Sequence, residues 1–182
     1  RFVELCQRQG INAIGLSGLD GRLVQGERNR GIRVREGGKT ILKRDFSGKP
    51  RSANTALLEL LLKHDYRPVI SIPIIDEQGH AINSENDDIV NILQKGINAT
   101  RILQLIEAPG FLDNRKDPTS VVPQMTQAEL AQREQQVEGR MKRKMLALRI
   151  LFTTGAAEVV IADGRVEHPV HDALSGRGTT IR

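Results

Sequence analysis

The sequence predicts an α/β fold in which helices alternate with buried strands. Three observations predict it. Ser52 can cap a helix running through Ala56, Leu57, Leu60 and Leu61 to Lys63, and the apolar run Pro68–Ile75 follows as a strand. Arg101–Ile106 and Glu158–Ala162 are further short apolar runs, closed by the turns Glu107-Ala108-Pro109-Gly110 and Asp163-Gly164-Arg165. Between them the capping box Thr126-Gln127-Ala128-Glu129 starts a helix expected to reach Glu138. A second helix, with Met145, Leu148 and Leu151 on its apolar stripe, then runs to a stop at Gly155. Helix followed by buried strand, repeated, is the α/β rhythm.

The remaining elements follow in order. Residues 1–9 read as a helix and Ile11–Leu16 as a short buried strand after Gly10. Ser17-Gly18-Leu19-Asp20-Gly21 is a glycine-rich turn that lacks both the GxGxxG spacing and the Walker lysine. A hairpin comes next: Ile32 and Val34 alternate with Arg33 and Arg35, Glu36-Gly37-Gly38-Lys39 turns, and Thr40–Arg44 returns. After the turn Asp76-Glu77-Gln78-Gly79, the polar cluster Asn83-Ser84-Glu85-Asn86-Asp87-Asp88 opens a helix through Ile89, Ile92 and Leu93. Open α/β sheets place ligands at such strand-to-helix junctions, although Asn and Asp are also plain helix caps. Asp113–Pro118 is a surface loop. A short helix through Leu174 and a strand Gly178–Ile181 end the chain. His168 and His171 lack a third ligand in their motif, so they read as structural and no metal site is expected.

At 182 residues and 38% hydrophobic content the chain can bury the core of one domain. It begins at Arg1 inside a helical pattern, so an N-terminal part is expected upstream. No signal peptide and no membrane-length apolar run is found. The single Cys6 excludes an internal disulfide and a cysteine-rich metal site, and a reducing, cytoplasmic setting is the expectation. The net charge of +5 asks for an acidic partner, yet 3% aromatic residues and no Trp argue against a single-strand nucleic-acid platform.

The charge is concentrated. Ten cations against three acids fall between Arg22 and Arg51, around the hairpin. A one-signed hairpin steers an acidic partner; the same charges also guard an exposed edge against pairing. A second concentration, Arg140, Lys142, Arg143 and Lys144, sits at the start of the helix after Gly139. The helix dipole already makes that end positive, so the cations fit best where an anion binds, and phosphate is the obvious one. A solvated basic face is the alternative for the same spacing.

These pieces, in this order, resemble the amino acid kinase family. The resemblance rests on Gly15–Gly21, on Ala81-Ile82-Asn83 with Asp87 following, on Ala108-Pro109-Gly110, on Gly139–Lys144, on Ile161–Arg165 and on Gly178–Ile181. Within the family the chain is similar to the acetylglutamate kinase group. Leu19, the Arg-rich hairpin and Arg44–Pro50 look like the branch that phosphorylates 2-aminoadipate held on a small acidic amino-group carrier protein in lysine biosynthesis. The resemblance implies a three-layer αβα sandwich of the carbamate kinase-like kind. It implies ATP with Mg2+, the carrier protein as partner, a homodimer and no nucleic acid or membrane.

It further implies that residues 1–75 end the substrate-side lobe, with the basic hairpin at 31–45, and that 76–182 form the nucleotide-side lobe. The family's phosphate loop, first catalytic lysine, and substrate-binding Gly pair and Arg would lie upstream, so this piece alone is expected to be inactive. Lys144 matches the lysine that stabilises the transferring phosphoryl group, Asn83 the asparagine that binds the substrate's amino-acid end, and Asp87 the aspartate that orients the catalytic lysines. Gly139, Met141, Asp163 and Gly164 match regions flanking the nucleotide. The chain departs from the pattern at Asp88-Ile89-Val90, where small residues are usual. It departs again at Ile106-Glu107, where a hydroxyl and then Asp or Asn are usual; a Glu there would repel phosphate. Two other readings follow: an acetylglutamate kinase of arginine biosynthesis, and an inactive kinase-like module that docks an acidic protein.

Overall fold

The computed structural model describes every residue except Arg44 and Arg115, and every helix and strand side chain except those of Ile32 and Arg140. The expected hairpin end at Arg44, the loop residue Arg115 and the Arg140 side chain thus lie outside the described residues. The chain divides into two compact units, residues 1–97 and 98–182.

The first unit contains α1 (Phe2–Arg8), β1 (Ala13–Ser17), β2 (Val24–Arg28), β3 (Ile32–Glu36), β4 (Lys39–Lys43) and β5 (Gly48–Ala53). It continues through α2 (Thr55–Lys63), β6 (Arg67–Ser71), β7 (Ile74–Ile75), β8 (Ala81–Ile82) and α3 (Asn86–Ile97). β1 pairs in parallel with β6, β5-β2-β7-β8 form a four-stranded sheet, and β3 and β4 form a two-stranded sheet. Leu23, Val24, Leu58, Ile74, Ile82 and Ile89 form the core, with Leu16, Leu57, Ile70 and Leu93 packed against it. Exclusion of these side chains from water is the main term holding the unit together.

Two expectations about this unit need correction. Ser52 does not cap α2; it lies within β5, opposite Gln25 of β2. Pairing continues to Ala53 opposite Val24, so the helix starts later and Asn54 is the cap, its Oδ1 accepting from Leu57 N at 3.2 Å. Nor is Pro68–Ile75 one strand. Val69 and Ile70 pair with β1, whereas Ile74 and Ile75 belong to the other sheet. Pro73, between them, has no N–H with which to continue a ladder.

The second unit contains β9 (Arg101–Ile106), β10 (Gln124–Met125), α4 (Gln127–Gln135), α5 (Gly139–Thr153), β11 (Glu158–Asp163), α6 (Pro169–Leu174) and β12 (Thr179–Ile181). Its sheet has the order β10-β12-β11-β9, with β9 and β11 parallel. The capping box at Thr126 forms as expected, but α4 ends at Gln135 rather than Glu138. Gln136 N–H turns back to Arg133 O, and Gly139 takes φ +64°, which separates α4 from α5. Leu130, Leu148, Leu151, Val159, Ile161 and Ile181 are sealed from solvent. At the start of β11 Glu158 is gripped by Arg101 and Arg182, and the hydrogen bond from Arg182 chiefly holds its carboxyl below the usual glutamate range. Among the described residues no helix is long and apolar enough to cross a membrane.

Candidate active site

In the first unit the candidate residues cluster where β8 gives way to α3. Strand alternation turns Ile82 into the core and leaves Asn83 exposed. The Asn83 backbone is held on both sides: its N–H donates to Phe46 O at 2.7 Å, and its C=O accepts from Gly48 N at 2.9 Å. Asp87 follows in the first turn of α3 beside Asp88, where carboxylates complement the helix dipole. Asp87 is half-buried.

Two polar side chains here have no role assigned from sequence, although Ser84 belongs to the polar cluster. Ser84 and Asn91 are both buried, and neither Ser84 Oγ nor Asn91 Oδ1 finds a hydrogen-bond partner among the described residues. Asn91 lies four residues after Asp87, on the same helix face. Buried polar atoms normally have partners, so these two stand out beside Asn83 and Asp87. A polar residue one turn beyond Asp87 was the available signal.

The turn Ser17–Gly21 is the plain turn its sequence suggests. Ser17 N donates to Asp20 Oδ2 at 2.7 Å and Ser17 Oγ at 2.8 Å, which spends those donors internally. The same two bonds hold the Asp20 carboxyl below its ordinary range.

In the second unit α5 begins with Glu138 as a cap that makes no side-chain hydrogen bond and has no acid in its first turn. Lys142 and Arg143 are exposed, and Lys144 is half-buried beside the core residue Met145. Lys144 makes no ion pair among the described residues, whereas Arg149 further along is taken by Glu134 at 2.8 Å. An uncapped helix start followed by cations is the kind of place where an anion is received. Met141 is exposed on the same first turn.

The carboxyl ends of the parallel strands β9 and β11 meet. Ile106 lies opposite Asp163, and Gly164 N donates to Ile106 O at 2.8 Å. Asp163 accepts from Arg165 Nε and backbone N at 2.9 Å, and from its terminal nitrogen at 2.8 Å. That grip lowers the Asp163 carboxyl to about 2. The guanidinium of Arg165 is held more firmly charged, mainly by Asp163 and in smaller part by Glu107.

A family model described as the amino acid kinase family matches residues 1–163. The chain belongs to the amino acid kinase family. It is 40% identical to a LysW-aminoadipate kinase of Thermus thermophilus, over all of this chain and 69% of that protein. It is 30% identical to an acetylglutamate kinase of Methanopyrus kandleri, over all of this chain and 71% of that protein. Among solved structures it is similar to Giardia carbamate kinase, with a TM-score of 0.70 at 15% identity, covering 98% of this chain and 66% of that one. The fold is accordingly the carbamate kinase-like α/β fold of this family, and the chain spans about two-thirds of these relatives. Members of the family named as kinases take a nucleotide. Among the described residues no three His, Cys, Asp or Glu side chains gather to hold a metal ion.

Proposed function

We propose that this amino acid kinase transfers the γ-phosphoryl group of ATP to the side-chain carboxylate of 2-aminoadipate, or of glutamate, carried on a small acidic amino-group carrier protein. The product is an acyl phosphate of lysine or arginine biosynthesis. The observation that favours a carrier-bound acceptor over acetylglutamate is the β3–β4 hairpin. It forms a sheet of its own and presents Arg33, Arg35 and Lys39 on exposed strands, a surface suited to an acidic protein. The higher identity to a LysW-aminoadipate kinase than to an acetylglutamate kinase supports the same choice.

The chemistry needs little from the protein beyond placement and charge. A carboxylate is already a nucleophile at neutral pH, so no general base is required. Asn83 is proposed to bind the amino-acid end of the acceptor. Lys144 is proposed to neutralise charge spreading over the transferring phosphoryl oxygens, and Asp87 to orient the catalytic lysines. Gly139, Met141, Asp163 and Gly164 flank the nucleotide in this proposal, and any magnesium arrives with the nucleotide phosphates. A homodimer in the cytoplasm completes it.

The test uses the full-length protein and traps acyl phosphate with hydroxylamine, offering acetylglutamate and carrier-bound 2-aminoadipate side by side. Turnover of the carrier-bound acceptor is expected, with a fall of about 100- to 1,000-fold in Lys144→Ala. Turnover of acetylglutamate alone would move the protein to the acetylglutamate branch. A folded protein that turns over neither would be a binding module.

A further inference from the structure

Residues 45–48 run from the basic hairpin to the strand beside Asn83, since β4 ends at Lys43 and β5 begins at Gly48. Asn83 is bonded to this stretch twice. Its N–H donates to Phe46 O at 2.7 Å and its C=O accepts from Gly48 N at 2.9 Å, while Ser47 forms a parallel bridge with it. Whatever moves residues 46–48 therefore moves Asn83. The hairpin is a source of such movement, because β3 and β4 form a two-stranded sheet, and a two-stranded sheet is marginally stable on its own in water.

A polar clamp closes the base of the hairpin. Asn29 N donates to Ser47 O at 2.9 Å and Arg28 Nε to Asp45 O at 2.8 Å, and the Arg28 guanidinium lies 4.1 Å from the centre of the Phe46 ring. The Asp45 side chain gathers the rest. Its Oδ1 accepts from Ser47 N at 3.1 Å, and its Oδ2 accepts from Ser47 Oγ at 2.5 Å and from Asn29 Nδ2 at 3.4 Å. Asn29 Nδ2 also donates to Ser47 Oγ at 2.8 Å. These bonds, the one from the Ser47 hydroxyl first, hold the Asp45 carboxyl below its ordinary range, and hydrogen bonds to an ionised acceptor are the strong ones.

Arg28, Asn29, Asp45 and Phe46 also line a cavity of about 540 Å3, together with the turn that holds Asp76 and His80. Asn83 does not line it. The clamp thus reaches Asn83 through the backbone of residues 46–48 and not through a shared cavity wall.

We propose that Asp45 is a positioning residue for the acceptor. By gathering Ser47 and Asn29 around one carboxylate it holds Phe46 O and Gly48 N in place for Asn83, and it separates the acceptor contact from movements of the hairpin. The acceptor-binding role of Asn83 in this inference rests on the kinase reading. The charge of Asp45 separates positioning from carrier docking. An acid beside a basic hairpin weakens the attraction for an acidic carrier, so charge alone predicts a lower KM when Asp45 is removed. Positioning predicts a higher one.

The experiment joins amide hydrogen exchange, read by NMR, to steady-state kinetics on the full-length protein and its Asp45→Ala variant. Exchange at Asn83 N–H is expected to quicken by about tenfold or more, with exchange along β11 unchanged. The KM for carrier-bound 2-aminoadipate is expected to rise by about tenfold with little change in kcat, because Asn83 is placed at the acceptor's amino-acid end and not at the transferring phosphoryl group. Asp45→Asn, which keeps an oxygen for Ser47 N, should recover part of both effects. Ser47→Ala removes the hydroxyl that joins Asp45 to Asn29 and should raise KM in the same direction; it replaces Asp45→Ala if circular dichroism shows that variant unfolded. The control is Asp117→Ala. Asp117 accepts from Thr119 N and Oγ1 in the same way, in a loop that carries none of the proposed site residues, so KM should not move. Unchanged exchange at Asn83 overturns the link to Asp45, and faster exchange with a KM unchanged or lowered overturns the positioning role. A parent protein that turns over no acceptor is a failure of the kinase reading alone, and the exchange rate at Asn83 still decides the link.

Discussion

Replacing Gly48 by Ala tests how the sheet positions Asn83. Gly48 does not need glycine for its backbone conformation; it needs glycine because strands approach too closely there. A Cβ at that position would lie 2.4 Å from Glu27 O on β2 and 2.6 Å from Ile82 Cδ1 in the core. Ordinary carbon–oxygen approach is about 3.3 Å or more, so β5 must retreat from β2 by roughly 1 Å. The retreat is opposed by the β2–β5 ladder, in which Arg28 lies opposite Gly48, and by the bond from Gly48 N to Asn83 O. Overpacking of this kind costs about 1–3 kcal/mol. With a urea m-value of about 1–3 kcal/mol per molar, the unfolding midpoint should fall by about 1 M. The displacement carries to Asn83 through that shared hydrogen bond; with Asn83 binding the acceptor as proposed, the KM for the acceptor should rise by about tenfold. Equilibrium urea unfolding followed by circular dichroism, with steady-state kinetics on the full-length protein, reads both effects. Lys49→Ala, exposed on the same strand, serves as the control and should stay within about 0.5 kcal/mol. A midpoint and KM both indistinguishable from the parent would refute the close-packing argument; a lowered midpoint with unchanged KM would refute its link to Asn83.

Two further outcomes are expected. Leu148, fully buried on α5 between Met145 and Leu151, should cost about 2.7–5 kcal/mol when replaced by Ala, read as a lower denaturant midpoint. Leu146→Ala, on the exposed side of the same helix, should change it by much less. Asp163 has its carboxyl lowered from 3.8 to about 2 in the folded chain. Its pairing with Arg165 is therefore fully present above about pH 4 and is lost as the pH falls from there through about 2, because the unfolded chain takes up the proton first. Asp163→Asn should flatten the acid limb of a stability-against-pH profile in that window and leave the slope above pH 5 unchanged.

Much of the structure was legible because its signals are local. The apolar run Arg101–Ile106 is a strand with those very bounds, the capping box at Thr126 forms, and the hairpin around Gly37-Gly38 closes as the alternation of Ile32, Arg33, Val34 and Arg35 requires. Periodicity, cap chemistry and turn residues act within a few positions, so sequence alone determines them. The order of motifs likewise sufficed to expect the amino acid kinase family, since each motif is short and contiguous.

Tertiary structure decided whatever depends on distant partners. Ser52 has the chemistry of a helix cap, yet pairing of β5 with β2 holds it in a strand and passes the cap to Asn54. The run Pro68–Ile75 is uniformly apolar, and only the separate partners of Val69 and Ile75 divide it between two sheets. Ser84, just before α3, and Asn91, within it, look like ordinary polar residues until burial removes water from them and leaves their oxygens without partners among the described residues. The cavity lined by Arg28, Arg30, Phe46 and Asp76 joins residues almost fifty positions apart, and only the folded chain brings them together.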